Sequence, residues 1–112
     1  MTSKIRQNFH EETEAGINEQ INLELHAMYV YHSMSVHFDR DDVALANFAK
    51  FFKKCSDEER EHADKLMRYQ NKRGGTVLLK GIKTASQSNL TPVAAIESAL
   101  QLEKHVNQAK IT

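Results

Sequence analysis

A seam of apolar residues, broken in its middle by an acid and a histidine, constrains this chain more than any other feature. Leu45, Phe48, Phe52, Cys55, Glu59, His62, Leu66 and Tyr69 recur at alternating steps of three and four, the spacing that returns a helix to one face. Glu59 and His62, inside the run Glu58-Glu59-Arg60-Glu61-His62, can therefore aim a carboxylate and an imidazole at one point in a bundle interior. That is metal-ligand geometry, and the Glu-x-x-His element is the one that di-iron carboxylate bundles place in their cores. The spacing predicts a long helix carrying half of a metal site, with the other half to be sought elsewhere.

The rest of the chain is consistent with a helical bundle. Its 112 residues are enough for one domain with a modest core. One proline, four glycines and abundant Ala, Leu, Glu, Lys and Gln lean towards helix. Fifteen basic and fifteen acidic residues cancel, so no overall field favours nucleic acid or an anionic membrane. The start, Met1 to Asn8, has no apolar run of the secretory kind, and no stretch approaches the ~20 apolar residues of a membrane span. The lone Cys55 forms no internal disulfide, which fits a reducing compartment. A cytoplasmic protein is the expectation.

In chain order, residues 1–10 read as an extended arm. Ile17, Ile21, Glu24, Met28, Tyr31, Ser35 and Phe38 mark a first helix from about Glu11 to Phe38, with Glu24 on its buried stripe. The turn Asp39-Arg40-Asp41-Asp42 makes the next helix an antiparallel neighbour, with Asp41 or Asp42 expected as its cap. That second helix is predicted from about Val43 to Lys72, stopped by Gly74-Gly75. Two readings stay open for Thr76 to Thr91: a crossover running the length of the second helix, so that a third helix starts parallel to it, or a disordered linker. Thr91-Pro92 opens the third helix, whose stripe is Val93, Ile96, Leu100, Glu103 and Asn107.

Each helix thus carries an acid on its stripe: Glu24, Glu59 and Glu103. Burying unpaired carboxylates is costly unless protons or cations neutralise them. Oxygen ligands with one imidazole suit iron, whereas zinc more often recruits sulfur or several histidines. Cys55 is read as a small buried hydrophobe. Tyr31 is either a core aromatic or a group acting beside the metal. Glu58, Glu61 and Asp64 form an adjoining acidic strip whose spacing also fits a solvated face, with partners such as Lys54, Lys65 and Arg68 one turn away. The remaining histidines, His10, His26, His32, His37 and His105, have no ligand partners at recognisable spacing.

At these residues the chain resembles an animal ferritin of the heavy-chain type. The resemblance is carried in order by Ile21-Asn22-Leu23-Glu24-Leu25, Tyr29-Val30-Tyr31, Phe38 to Leu45, Asn47-Phe48-Ala49-Lys50, Glu58 to Ala63, Lys65-Leu66-Met67, Gln70-Asn71, Arg73-Gly74-Gly75 and Leu102-Glu103-Lys104. It implies an all-α, ferritin-like four-helix bundle, here two long antiparallel helices, a long crossover loop and part of a third helix. It also implies iron storage in the cytoplasm, oxidation of ferrous iron by dioxygen at a di-iron centre, and assembly with other ferritin subunits into a cage. By that resemblance Glu24 and His62 hold the first iron, Glu59 bridges the pair, and Glu103 holds the second with Tyr31 alongside. Glu58, Glu61 and Asp64 then resemble the acids of the inner surface that receive ferric iron.

The family pattern continues through a fourth helix and a short fifth, whereas this sequence ends at Ala109-Lys110-Ile111-Thr112. A glutamine that completes the family's ferroxidase site, and acids lining its threefold channels, belong to that further segment. The expectation is a truncated or alternatively ended chain, or a fragment, with one flank of its apolar stripes exposed. Two further readings remain at this point: a catalytically inactive subunit that associates with full-length cages, and a metal-free helical module.

Overall fold

The computed structural model describes residues 9–83 and 90–111. They form three helices, α1 (Glu11–Phe38), α2 (Ala46–Lys72) and α3 (Pro92–Ile111), in a body 55 × 23 × 20 Å. There is no strand among the described residues.

Polar side chains that grip backbone set the antiparallel register of α1 and α2. Ser35 Oγ donates to the Ala49 carbonyl (2.7 Å), Ser56 Oγ to the Met28 carbonyl (2.8 Å), and Gln70 Nε2 to the Glu14 carbonyl (2.9 Å). Moving from the first of these bonds to the next descends α1 by seven residues while climbing α2 by seven, and the third lies fourteen further along both. The helices thus cross with a heptad register. Between the bonds pack Ile21 and Ala27 from α1, and Ala49, Phe52 and Ala63 from α2, all buried. Phe52 is fully buried and stacks with Phe38 at 5.7 Å and Tyr31 at 6.2 Å between ring centroids. These three rings form the centre of the core.

The expected second-helix seam is shifted by this register. The line that meets α1 is Ala49, Phe52, Ser56, Glu59, Ala63 and Gln70. The line through Phe48, Cys55 and His62 borders an open cleft, and Leu45 and Tyr69 at its two ends are exposed. On α3 the difference is larger. Ala95 and Val106 are buried with Ala99 and Leu102 packed beside them, while Val93, Ile96 and Leu100 are exposed. The small alanines allow close approach to α1, so the larger apolar side chains turn towards the open flank.

The turn between α1 and α2 also differs from expectation. Neither Asp41 nor Asp42 caps α2, which begins three residues later than Val43, with Leu45 at its N-cap and no side-chain hydrogen bond there. Arg40 holds both carboxylate oxygens of Asp42, leaving that acid engaged, and Ala44 takes a left-handed backbone (φ 49°) that delays the helix. The far end follows the sequence closely. Gly74 adopts φ 82°, the Gly75 N–H donates to the Gln70 carbonyl and the Gly74 N–H to that of Asn71, together a Schellman stop. Phe9, from the expected arm, is buried against this end under the Arg73 guanidinium (5.4 Å to the ring centre); residues 1–8 lie outside the described residues.

The first stretch after Gly75 runs along α1. Asn18 donates to the Thr76 carbonyl and accepts from the Leu78 N–H; Asn22 donates to the Leu78 carbonyl and accepts from the Lys80 N–H. Residues 84–89, the polar part of the possible linker, lie outside the described residues. At the other end His37, otherwise unassigned by spacing, donates from Nε2 to the Leu90 carbonyl (2.9 Å). Thr91 Oγ1 then accepts the Ala94 N–H (3.1 Å), the cap that the sequence predicts. α3 therefore starts beside the end of α1 and runs back along it, parallel to α2.

Replacing Phe52 by alanine removes the ring that joins both neighbours in the stack and is expected to destabilise the chain by about 3–5 kcal/mol. Phe51→Ala, at a ring 55% exposed, is expected to cost less than about 1 kcal/mol. Urea denaturation midpoints of the two variants check the contrast.

Candidate metal centre

Two turns from the aromatic stack, the register of α1 and α2 brings Glu24 opposite Glu59 and His62. Glu24 is fully buried and Glu59 is 4% exposed, whereas the His62 side chain is 47% exposed at the mouth of the cleft. His62 Nδ1 lies 3.6 Å from Glu24 Oε2 and 3.7 Å from Glu59 Oε2. One ligand atom from each residue falls within 4.8 Å of the others. Ligands ~2.1 Å from a shared ion sit roughly 3–4 Å apart, so these three side chains fit one cation with little movement.

A buried carboxylate among other acids needs neutralising, and at Glu59 a proton serves. Glu59 is pushed up to about 9, first by burial, then by hydrogen bonding and like charge from Glu24 and from Glu103. Its Oε2 has no hydrogen-bond partner, an oxygen with unused capacity for a cation. At neutral pH the carboxyl holds a proton that an incoming metal must displace.

Glu103 reaches the same cluster from α3. Its Oε1 accepts the Tyr31 hydroxyl at 2.6 Å. Burial, this bond and the surrounding acids hold the Tyr31 hydroxyl well above its usual range, so the phenol stays a donor. The Tyr31 ring lies in the core and its hydroxyl is satisfied by Glu103. Cys55, partly buried in the cleft wall, is raised by burial and by Glu58, Glu103 and Glu59, which keeps it a thiol rather than a reactive thiolate.

The acidic strip is divided. Glu58 is exposed and lines the cleft mouth beside His62, whereas Glu61 turns outward to Lys65 (3.5 Å). Among the described residues the only group of three or more close ligands is Glu24, Glu59 and His62. The cleft itself, about 700 Å3, is walled by Phe48, Phe51, Ile96 and Leu100, with Tyr31 and the carboxylates of Glu59 and Glu103 also lining it.

One residue at the site carried no signal in the sequence reading. Gln20, one turn before Glu24, donates from Nε2 to Glu24 Oε1 at 3.0 Å and reaches the Val106 carbonyl of α3 at 3.5 Å. Its i,i+4 spacing from a stripe acid was the available clue.

The raised Glu59 gives a pH prediction for the metal-free chain. Unfolded, a glutamate titrates near ~4.3; folded, Glu59 keeps its proton to about 9. Between these values the folded state binds the extra proton, so this group's stabilising contribution is fully present below the lower value and is lost as pH rises towards the upper one. Urea midpoints of the metal-free protein are expected to fall between about pH 5 and pH 9, with a shallower fall in Glu59→Gln.

The family described as the ferritin-like domain matches residues 14–110. The chain is 60% identical over 108 residues to soma ferritin of Lymnaea stagnalis, covering 96% of this chain and 62% of that protein. It is 52% identical over 110 residues to the ferritin lower subunit of Aquarana catesbeiana, covering 97% of this chain and 64% of that protein. The chain thus spans somewhat under two thirds of the length of these relatives. A family match over residues 14–110, with relatives 52–60% identical along nearly all of this chain, establishes that this protein belongs to the ferritin family.

Proposed function

We propose that the chain takes up ferrous iron at Glu24, Glu59 and His62, with Glu103 supplying the ligand for a second ion, and promotes its oxidation by dioxygen as the first step of iron storage. The observation that carries this reading is the buried pair Glu24 and Glu59 focused with His62 on one point. Oxygen-rich ligation with one imidazole favours a hard cation and stabilises the ferric product more than the ferrous substrate. Each ferrous ion gives up one electron, and dioxygen is the acceptor.

The side chains divide the work. His62, exposed at the cleft mouth, is the ligand an incoming ion meets first, with Glu58 beside it. Glu59 lies between the Glu24 side and the Glu103 side, the position from which one carboxylate can bridge two ions, and it releases its proton as they enter. Tyr31 holds Glu103 in place through a short hydrogen bond. Glu61 and Asp64 belong, in this reading, with Glu58 to a surface that receives ferric iron. Acids at the cluster from all three helices support a heavy-type subunit, and kinship with ferritins supports work in the cytoplasm with other ferritin subunits as partners. The described helices contain none long and apolar enough to cross a membrane.

Oxygen-dependent loss of ferrous iron, followed optically with the purified 112-residue chain, tests the proposal. Glu59→Ala is expected to slow oxidation by more than about tenfold, the lower end of the effect of losing even an outer partner of a ligand. Equal rates in both proteins and in buffer alone would reject it.

A further inference from the structure

We infer that Gln20 is a positioning residue that makes Glu24 a one-oxygen ligand and ties it to the docking of α3. This inference rests on the metal-binding reading above and adds to it a residue that touches neither the ion nor the substrate.

The geometry carries the argument. Glu24 is fully buried, so its carboxylate cannot turn to water. One oxygen, Oε1, accepts the Gln20 amide at 3.0 Å; the other, Oε2, is the one that faces His62 Nδ1 at 3.6 Å. Held at Oε1 by Gln20 and hydrogen-bonded also with Glu59, the carboxylate keeps Oε2 turned towards His62 and resists swinging round to offer both oxygens to a cation. The Gln20 amide has two N–H groups, and the second points to the Val106 carbonyl at 3.5 Å. Val106 is itself buried in the small interface between α1 and α3. The same side chain therefore senses whether α3 is seated and fixes which oxygen of Glu24 is presented.

Three polar bonds tether α3 and its leading residue to α1: His37 to Leu90 at one end, Tyr31 to Glu103 in the middle, and Gln20 to Val106 towards the other end. Two of the three involve residues bonded to site carboxylates. Gln20 and Tyr31 thus act as a matched pair, one orienting the carboxylate of α1 and the other that of α3. Outer partners of this kind are worth 10–100-fold in metal affinity where they have been removed.

The test uses cobalt(II), whose visible spectrum reports coordination number, added to the full chain and to Gln20→Leu, Gln20→Glu and Glu59→Ala. Gln20→Leu keeps bulk but removes the donor, and is expected to weaken cobalt binding about tenfold and to change the spectrum as the Glu24 carboxylate loses the bond that fixes its Oε1. Gln20→Glu replaces the amide donor by an acid and is expected to weaken binding likewise. A Gln20→Leu protein whose urea midpoint falls while affinity and spectrum match the parent would show a merely structural bond and overturn the inference. If the parent chain and Glu59→Ala bind cobalt equally weakly, the metal reading falls and this inference with it; if the parent binds tightly and Gln20→Leu is indistinguishable from it, this inference alone fails.

Discussion

The register between α1 and α2 is the constraint from which the site follows. Ser35, Ser56 and Gln70 each donate to a carbonyl of the opposite helix at heptad intervals, and a slip of one residue would break all three together. A buried donor left without its acceptor costs about 1–3 kcal/mol, so three such losses define the alignment sharply even though the net gain from each bond is small. Apolar packing alone would not do this, because Leu, Phe and Ala contacts tolerate shifts that hydrogen bonds do not. Glu24 faces Glu59 and His62 only in the alignment these bonds select.

The carboxylates oppose the core that surrounds them. Phe52, Tyr31 and Phe38 provide a stack whose burial favours folding, while Glu24 and Glu59, a short distance away, are stable there only with protons or a cation. The structure handles the conflict by sharing: Glu59 keeps a proton among acids, Tyr31 donates to Glu103, and Gln20 donates to Glu24. Each is a contact that a metal ion would exploit or replace. Glu24, Glu59 and His62 thus already stand near one focus, the preorganisation on which the proposed metal site rests.

Much of this was legible in the residues. The bounds of α1, the glycine stop of α2, the Thr91 cap and the shared face of Glu59 and His62 follow from period and chemistry, whereas the pairing of Glu24 with His62 was implied only by the family resemblance. What the sequence did not disclose were the choices that depend on a partner helix. Heptad spacing cannot say whether Phe48 or Ala49 is set deeper against α1; the serine and glutamine clamps bury Ala49, while Phe48 packs on Phe38 at the edge of the cleft. On α3 the larger apolar residues suggested the packed face, but close approach to α1 selected Ala95 and Ala99 and turned Ile96 and Leu100 outward. Asp42 looked like a cap until Arg40 claimed it. Gln20, Asn18 and Asn22 are polar residues whose roles exist only once a second segment lies beside them.

Asn18 and Asn22 also show how a helix can act as a template for chain that is not helical. Four residues of helix advance ~6 Å and two residues of extended backbone ~6.6 Å, so amides one turn apart are nearly commensurate with alternate peptide groups of a strand. The first stretch of the crossover is thereby measured out along α1 as if against a ruler. Because the two spacings differ slightly, like the scales of a vernier, the match drifts with each added rung, and a helix can guide such a segment for only a short distance before the strand must leave it.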